Sequence, residues 1–236
     1  MIIIPDIHGR TFWKDAVSGH EEEDIVFLGD YLDPYSYEGI TPDDALDNFR
    51  EILRFKLSHP ENVTLLLGNH DLGYLCTEIN TCRHDFDRHD EIKEVLTNNP
   101  DCFQLCASRE MAGKCYLLSH SFVSRYWLEL CKQYLHFDYS HPSELAGILN
   151  TMFRDQQEKM FELLAVVSHY RGGDRAFGSM VWSDVMEVKI EDAFIDGVFN
   201  VFGHTQTREP LIYKHFACLD FKHAFELKED GTICMK

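Results

Sequence analysis

Five times along this chain a short, continuous apolar run stops at a residue able to bind a metal or move a proton. "MIIIP" leads into "DIHGR", "DIVFLG" into "DYLD", "VTLLLG" into "NHD", "KCYLLS" into "HS", and "GVFNVFG" into "HTQ". Apolar runs of this length, bounded by turn residues, predict strands buried on both faces, as in a sheet covered by helices. In open α/β sheets, ligands collect beyond the carboxyl ends of the strands. The pattern restricts the chain to an α/β fold and predicts one composite site assembled from strand ends.

Helical patterns lie between the runs. In "TPDDALDNFREILRFKLSHP" Thr41 is placed to cap, Pro42 to open the first turn, and Asp43 and Asp44 to meet the helix dipole. Leu46, Phe49, Ile52, Leu53 and Leu57 recur behind them at helical spacing. Residues 85–97, 122–137 and 143–168 also read as helical, so residues 85–168 form a helix-rich block, a candidate cap beside the site. After it, "SMVWSD", "GVFNVFG", "EPLIYKHFACLD" and "HAFELK" read as a run of strands forming a second sheet. No repeat or Pro/Gly/Ser-rich linker interrupts the chain, and residues 1–236 are expected to form a single domain.

Composition narrows the function. Twenty-two basic residues against 40 acidic ones give a net charge of −18, the wrong sign for a nucleic acid polymer. An anionic substrate stays open, because bound divalent cations dominate the local field of a site. No apolar run approaches the roughly 20 residues of a membrane helix, and "MIIIP" is too short for a secretory signal. A cytoplasmic location is expected. The eight cysteines include no CxxC pair and read as reduced, mostly buried thiols.

The polar residues after the runs are hard or borderline metal ligands. Asp6 and His8 stand two apart, so that in extended chain both side chains point the same way. Asp30 and Asp33 follow the second run, Asn69, His70 and Asp71 the third, His120 the fourth and His204 the fifth. Any one of these has an ordinary structural explanation. Five strands ending in the same kind of residue do not. The inventory suits two divalent cations, with Asp6, His8 and Asp30 for one and Asn69, His120 and His204 for the other. Asp30, whose strand end falls between the two groups in sequence, is the expected bridge. His169 competes with His120, which is preferred because a strand-like run precedes it. Two cations about 3.5–4 Å apart polarise a phosphoryl group and generate hydroxide at neutral pH, so phosphate-ester hydrolysis is the chemistry expected. Manganese is the expected metal, with iron, zinc, nickel or cobalt as alternatives.

In order and rough spacing, "DIHG", "GDYLD", "GNHD", the "SH" at 119–120 and "GHTQ" resemble the calcineurin-like metallophosphoesterases. Within them the chain is most similar to the Ser/Thr phosphoprotein phosphatases and bacterial diadenosine-polyphosphate hydrolases, and "MVWSD" resembles the "WSDP" element of the former. The resemblance implies a four-layer α/β/β/α sandwich, the ligand sets above with Asp30 bridging, and a catalytic role for His70. That histidine would be the general acid, oriented by Asp33, as hydroxide attacks the phosphorus. Proton donation also needs what a neighbouring carboxylate gives an imidazole, a raised pKa and a fixed tautomer.

There are two departures. Pro34 stands where the protein phosphatases carry an arginine that grips phosphate, which leaves Arg171 and Arg175 as the leading replacements and Arg10 as a third. Gln206 stands where many members carry a further histidine ligand. A phosphomonoester, on a protein or a small molecule, is the expected substrate. Dinucleoside polyphosphates are the alternative, and a non-catalytic metal-binding scaffold is the second alternative. Asp71 is expected to cap the helix after Asn69.

Overall fold

Ile2–Ile4, Ile25–Phe27, Val63–Leu66 and Phe103–Gln104 form strands β1 to β4. Phe12–Val17, Pro42–Ser58, Asn69–Leu72 and His89–Thr97 form helices α1 to α4. Strands β5 (Cys106–Met111) and β6 (Lys114–Ser119) follow. Next come α5 (Arg125–Leu135), α6 (Leu145–Asp155) and α7 (Gln157–Leu164). Strands β7 (Val198–Phe202), β8 (Leu211–Ile212), β9 (Phe216–Cys218), β10 (Phe225–Leu227) and β11 (Ile233–Met235) complete a mixed α/β fold with two sheets. This computed structural model describes residues 1–236. The chain divides into two units, residues 1–104 with 222–228 and 232–236, and residues 105–221 with 229–231.

The first unit holds a six-stranded sheet in the order β11-β10-β1-β2-β3-β4. Strands β1 to β4 are parallel, while β10 runs antiparallel to β1 and β11 to β10. Every residue of β1 and β2 is buried, as expected of strands covered on both faces. Helix α2 starts as its sequence directs. The Asp44 N–H donates to Thr41 Oγ1, and the Thr41 N–H donates to the Asp44 carboxylate, each over 3.1 Å. Leu46, Phe49, Ile52 and Leu53 are buried along the predicted stripe, but Leu57, in the last turn, is 57% exposed.

Gly29 is required by its surroundings. Its φ is +103°, and a Cβ there would stand 2.5 Å from the Gly68 nitrogen and 2.9 Å from its Cα. The chain leaving β2 thus passes against the chain leaving β3 with no room for a side chain, and Asp30 follows directly.

The second unit holds a five-stranded sheet, β5-β6-β7-β9-β8, with β6, β7 and β9 parallel and each edge strand antiparallel to its neighbour. Phe122, Phe202, Phe216, Ala193 and Cys218 pack as a buried cluster in this unit. The helical stretch expected over 143–168 breaks into α6 and α7 at Gln156, and a short 3-10 turn at Pro142–Glu144 precedes it. The block 85–168 contains three strands, β4 to β6, as well as helices.

Two strand expectations need correction. "SMVWSD" is a turn: the Trp182 and Ser183 N–H groups both reach back to the Ser179 carbonyl, at 3.0 and 2.9 Å. Ser121 Oγ also accepts from the Ser183 N–H at 3.1 Å. Serine hydroxyls serve backbone groups that a sheet would otherwise pair, so apolar Met180 and Val181 are buried without a strand. "HAFELK" does form a strand, β10, but it joins the first sheet, with Ile3 opposite Phe225.

Candidate active site

In the first unit the loops leaving β1, β2 and β3 carry Asp6 and His8, Asp30 and Asp33, and Asn69 and His70. These are neighbouring parallel strands, so their carboxyl ends lie together. All six residues are buried. The Asp30 carbonyl accepts from the Ile7 and His8 N–H groups at 3.1 and 2.7 Å, and the Gly9 N–H reaches the Tyr31 carbonyl at 2.9 Å. Loop is tied to loop.

Asp71 does more than cap. Its carboxylate accepts from Gly68 N–H at 2.8 Å, which starts α3, and also from Asp30 N–H at 2.7 Å and Tyr31 N–H at 3.0 Å. One buried carboxylate thereby holds the β2 exit against the β3 exit. Three residues at these strand ends sit in left-handed backbone: His8 at φ +43°, Asp30 at +53° and Asp33 at +56°. Such conformations are uncommon outside glycine and cluster where function demands them.

His8 donates its Nδ1 proton to the Leu32 carbonyl at 2.8 Å. That contact turns the Nε2 atom toward an Asp30 oxygen 3.5 Å away. Burial drives the His8 pKa down to about 3 against the upward pull of Asp30, so the ring is neutral and Nε2 carries a lone pair. Two electron-rich atoms face each other with no proton between them, an arrangement a divalent cation would stabilise. The donor set, carboxylate and neutral imidazole, is of the right chemistry.

His70 has different surroundings. Its Nδ1 donates to Asp33 Oδ2 at 2.6 Å, and the other Asp33 oxygen accepts from the Tyr74 hydroxyl. Its own backbone N–H donates to Asp30 Oδ1 at 2.9 Å. Burial pulls the imidazole pKa down, but the charge of Asp30 and the hydrogen bond to Asp33 outweigh it and lift the value to about 10. Within one unit, then, His8 is held neutral and His70 protonated, their rings edge to face at 5.0 Å. Ligand-capable atoms of His8, Asp30 and His70 lie within 4.8 Å of one another.

In the second unit the adjacent parallel strands β6 and β7 end at His120 and His204. His120 Nε2 lies 3.1 Å from His204 Nδ1, and the Gly203 N–H donates to the His120 carbonyl at 2.9 Å. His120 is fully buried, whereas His169 is exposed on a 3-10 turn. The Trp182 ring meets His204 edge-on at 5.8 Å. Arg171 binds the Thr205 hydroxyl at 2.5 Å and pairs with Asp184 at 2.9 Å, tying the "WSD" turn to the loop after β7. Arg175 is exposed and pairs with Asp174 at 3.4 Å. In the first unit, Arg10 is clamped to Glu38 by two hydrogen bonds of 2.7 and 3.1 Å.

Three neighbours of His70 carry no signal in the sequence. Tyr74 completes the hydrogen bonding of Asp33. Cys82 lies against His70, whose hydrogen bond holds the thiol below its ordinary pKa. Arg83 brings a guanidinium nitrogen to 3.4 Å from His70 Nε2. In "NTCRHDFDRHD" nothing distinguishes Arg83 from Arg88.

A sequence model of calcineurin-like phosphoesterases matches residues 2–208 of the chain. Over 74 residues the chain is 34% identical to the serine/threonine-protein phosphatase 4 catalytic subunit of Eremothecium gossypii and 35% identical to that of Candida glabrata. Each match covers 29% of this chain and 21% of the relative, so the chain spans about a fifth of the length of the curated relatives it matches. Among solved structures, a cold-active protein tyrosine phosphatase is similar over 99% of this chain and 77% of that one, with a TM-score of 0.54 at 15% identity. That likeness is one of fold.

Proposed function

The chain belongs to the calcineurin-like phosphoesterase family, and from that premise we propose that it is a metal-dependent phosphatase acting on phosphomonoesters. The carrying observation is the Asp33–His70 pair, 2.6 Å apart and buried beside the carboxylate and imidazole donors of the same loops. A scaffold that only bound metal would have no use for it.

The residues that would hold divalent cations are Asp6, His8, Asp30 and Asn69 of the first unit and the His120/His204 pair of the second. Cations bound there would polarise a phosphoryl group and relieve the Asp30 charge of its hold on His70. Asp33 fixes the His70 tautomer by accepting the Nδ1 proton, which presents the Nε2 proton for transfer. His70 then hands that proton to the departing alkoxide as general acid. His8, turned by Leu32, keeps its lone pair for a ligand. Arg10, Arg171 and Arg175 are the basic residues put forward for substrate from the sequence, and the first two are pre-ordered by Glu38 and Asp184.

The test is a manganese-supplemented screen across aryl and alkyl phosphates, phosphopeptides, dinucleoside polyphosphates and phosphodiesters. Monoesters should be turned over. His70→Asn should leave metal content unchanged and slow an alkyl phosphate by about 10²–10⁴-fold, while an aryl phosphate, whose leaving group needs no proton, loses much less. Full activity of His70→Asn on alkyl phosphate would remove the acid role. Metal uptake without turnover of any of these substrates would leave the scaffold reading.

A further inference from the structure

Beside the Asp33–His70 pair, the first unit has a half-open cavity of about 440 Å³ whose lining includes Asp33 and Arg83. That is the size of a small-ligand pocket. Pro34, Ile40, Tyr74 and Phe86 supply apolar wall. Phe86 is 82% exposed, a large apolar ring left in water at the cavity's edge.

Arg83 lines this cavity and reaches the proton donor. Its guanidinium stacks on the Tyr35 ring at 3.8 Å, its Nε donates to the Asp33 carbonyl at 3.0 Å, and one terminal nitrogen lies 3.4 Å from His70 Nε2. The side chain is thus held in one orientation by groups that leave its charge uncompensated. No carboxylate pairs with it, whereas Arg10 and Arg171 are paired with Glu38 and Asp184 and Arg88 with Asp43 and Asp85. In a chain of net charge −18, an ordered and unneutralised guanidinium is a ready partner for an anion. The other charged groups lining the cavity are the carboxylates Asp33, Asp85 and Asp87. Asp33 and Asp85 are paired with His70 and Arg88, which leaves Asp87 to repel a second phosphate.

We propose that this cavity receives the alcohol portion of the substrate while Arg83 contacts its single phosphate, so that the enzyme selects monoesters of apolar aromatic alcohols over polyphosphates. The proposal rests on the phosphatase reading and narrows it to a substrate class. A ring seated among Tyr74, Ile40 and Phe86 leaves its oxygen next to the His70 Nε2 proton. One cation matches one phosphate, and Asp87 disfavours the further charge of a nucleotide anhydride.

Binding of non-hydrolysable phosphonates to the manganese-loaded protein tests this without turnover. Benzylphosphonate should bind about tenfold more tightly than methylphosphonate through burial of its ring. Phe86→Ala, which removes apolar wall, should reduce that preference, and Ser36→Trp, which fills the cavity from an exposed position, should abolish it and leave methylphosphonate binding as it was. Arg83→Ala should weaken both phosphonates and inorganic phosphate by about tenfold or more, with Arg83→Lys in between. Equal affinity for the two phosphonates in the unaltered protein would overturn the pocket, and unchanged phosphate affinity in Arg83→Ala would overturn the contact. Tighter binding of ADP than of benzylphosphonate would overturn the selectivity. If no phosphate ester is hydrolysed while the phosphonate pattern holds, the catalytic reading fails and the binding site stands.

Discussion

The two imidazoles of the first unit respond to pH in opposite directions, and the sign of each follows from its surroundings. His8 falls from 6.5 to about 3, so the unfolded chain binds its proton first and the metal-free protein loses stability as pH drops from 6.5 toward 3. His70 rises from 6.5 to about 10, so its contribution is complete below 6.5 and is lost as pH climbs toward 10. For these two groups, stability of the metal-free protein is greatest near pH 6.5. Urea denaturation across pH should show His8→Asn flattening the acid limb and His70→Asn flattening the alkaline limb; an unaltered profile in either variant refutes that assignment. Asp71 carries a different load. Asp71→Ala strands three buried N–H donors, at about 1–3 kcal/mol each, and a loss of about 3 kcal/mol or more is expected. Asp71→Asn, which keeps an acceptor, should lose less. The sequence pointed to Asp71 as a cap because Gly68 and α3 are adjacent to it. Its bonds to Asp30 and Tyr31 cross 40 residues and leave no local pattern. Arg83 was invisible for the same reason, since its meaning comes from Tyr35 and His70 and not from its neighbours in "TCRHD".

At the scale of elements, what was legible followed from periodicity and punctuation. The five apolar runs became β1, β2, β3, β6 and β7, and Thr41 and Pro42 fixed the start of α2. The turn at "SMVWSD" was not legible, because Met180 and Val181 are as apolar as any strand and only the serines around them show where their backbone bonds go. Loop-to-loop contact is where an element-scale prediction is sharpest. Gly29→Ala would drive a methyl into the Gly68 backbone, 2.5 Å from its nitrogen, in a conformation already hostile to a side chain. Backbone on backbone cannot yield as a flexible side chain does. A loss of about 2 kcal/mol or more is expected, with weakened metal uptake because Asp30 and Asn69 flank the contact. Calorimetric melting together with metal analysis would show it; a variant that keeps both would mean the two loops can part freely.

Across the whole molecule, composition told little about architecture. No helix is long and apolar enough to cross a membrane. No shift of composition marks residue 105, where the chain leaves the first sheet, or residue 222, where it returns, since both sheets draw on the same apolar residues. The placing of β10 beside β1 pairs Ile3 with Phe225, a choice made by geometry late in the chain. Metal loading should register on the scale of the fold. A cation at 100 times its dissociation constant adds about 2.7 kcal/mol, so chelation should lower the melting temperature and manganese restore it. Indifference to both would mean that the buried donors hold no ion. The left-handed turns have a consequence for descent. His8, Asp30 and Asp33, and His204 at φ +62° in the second unit, each occupy a conformation that costs a side chain about 1 kcal/mol and glycine almost nothing. At Asp30 and Asp33 the charge and hydrogen bonds given to buried His70 outweigh that cost. At His8 and His204 no such bond to a buried charge offsets it, so in a lineage no longer selected for chemistry these two histidines would be the first to drift.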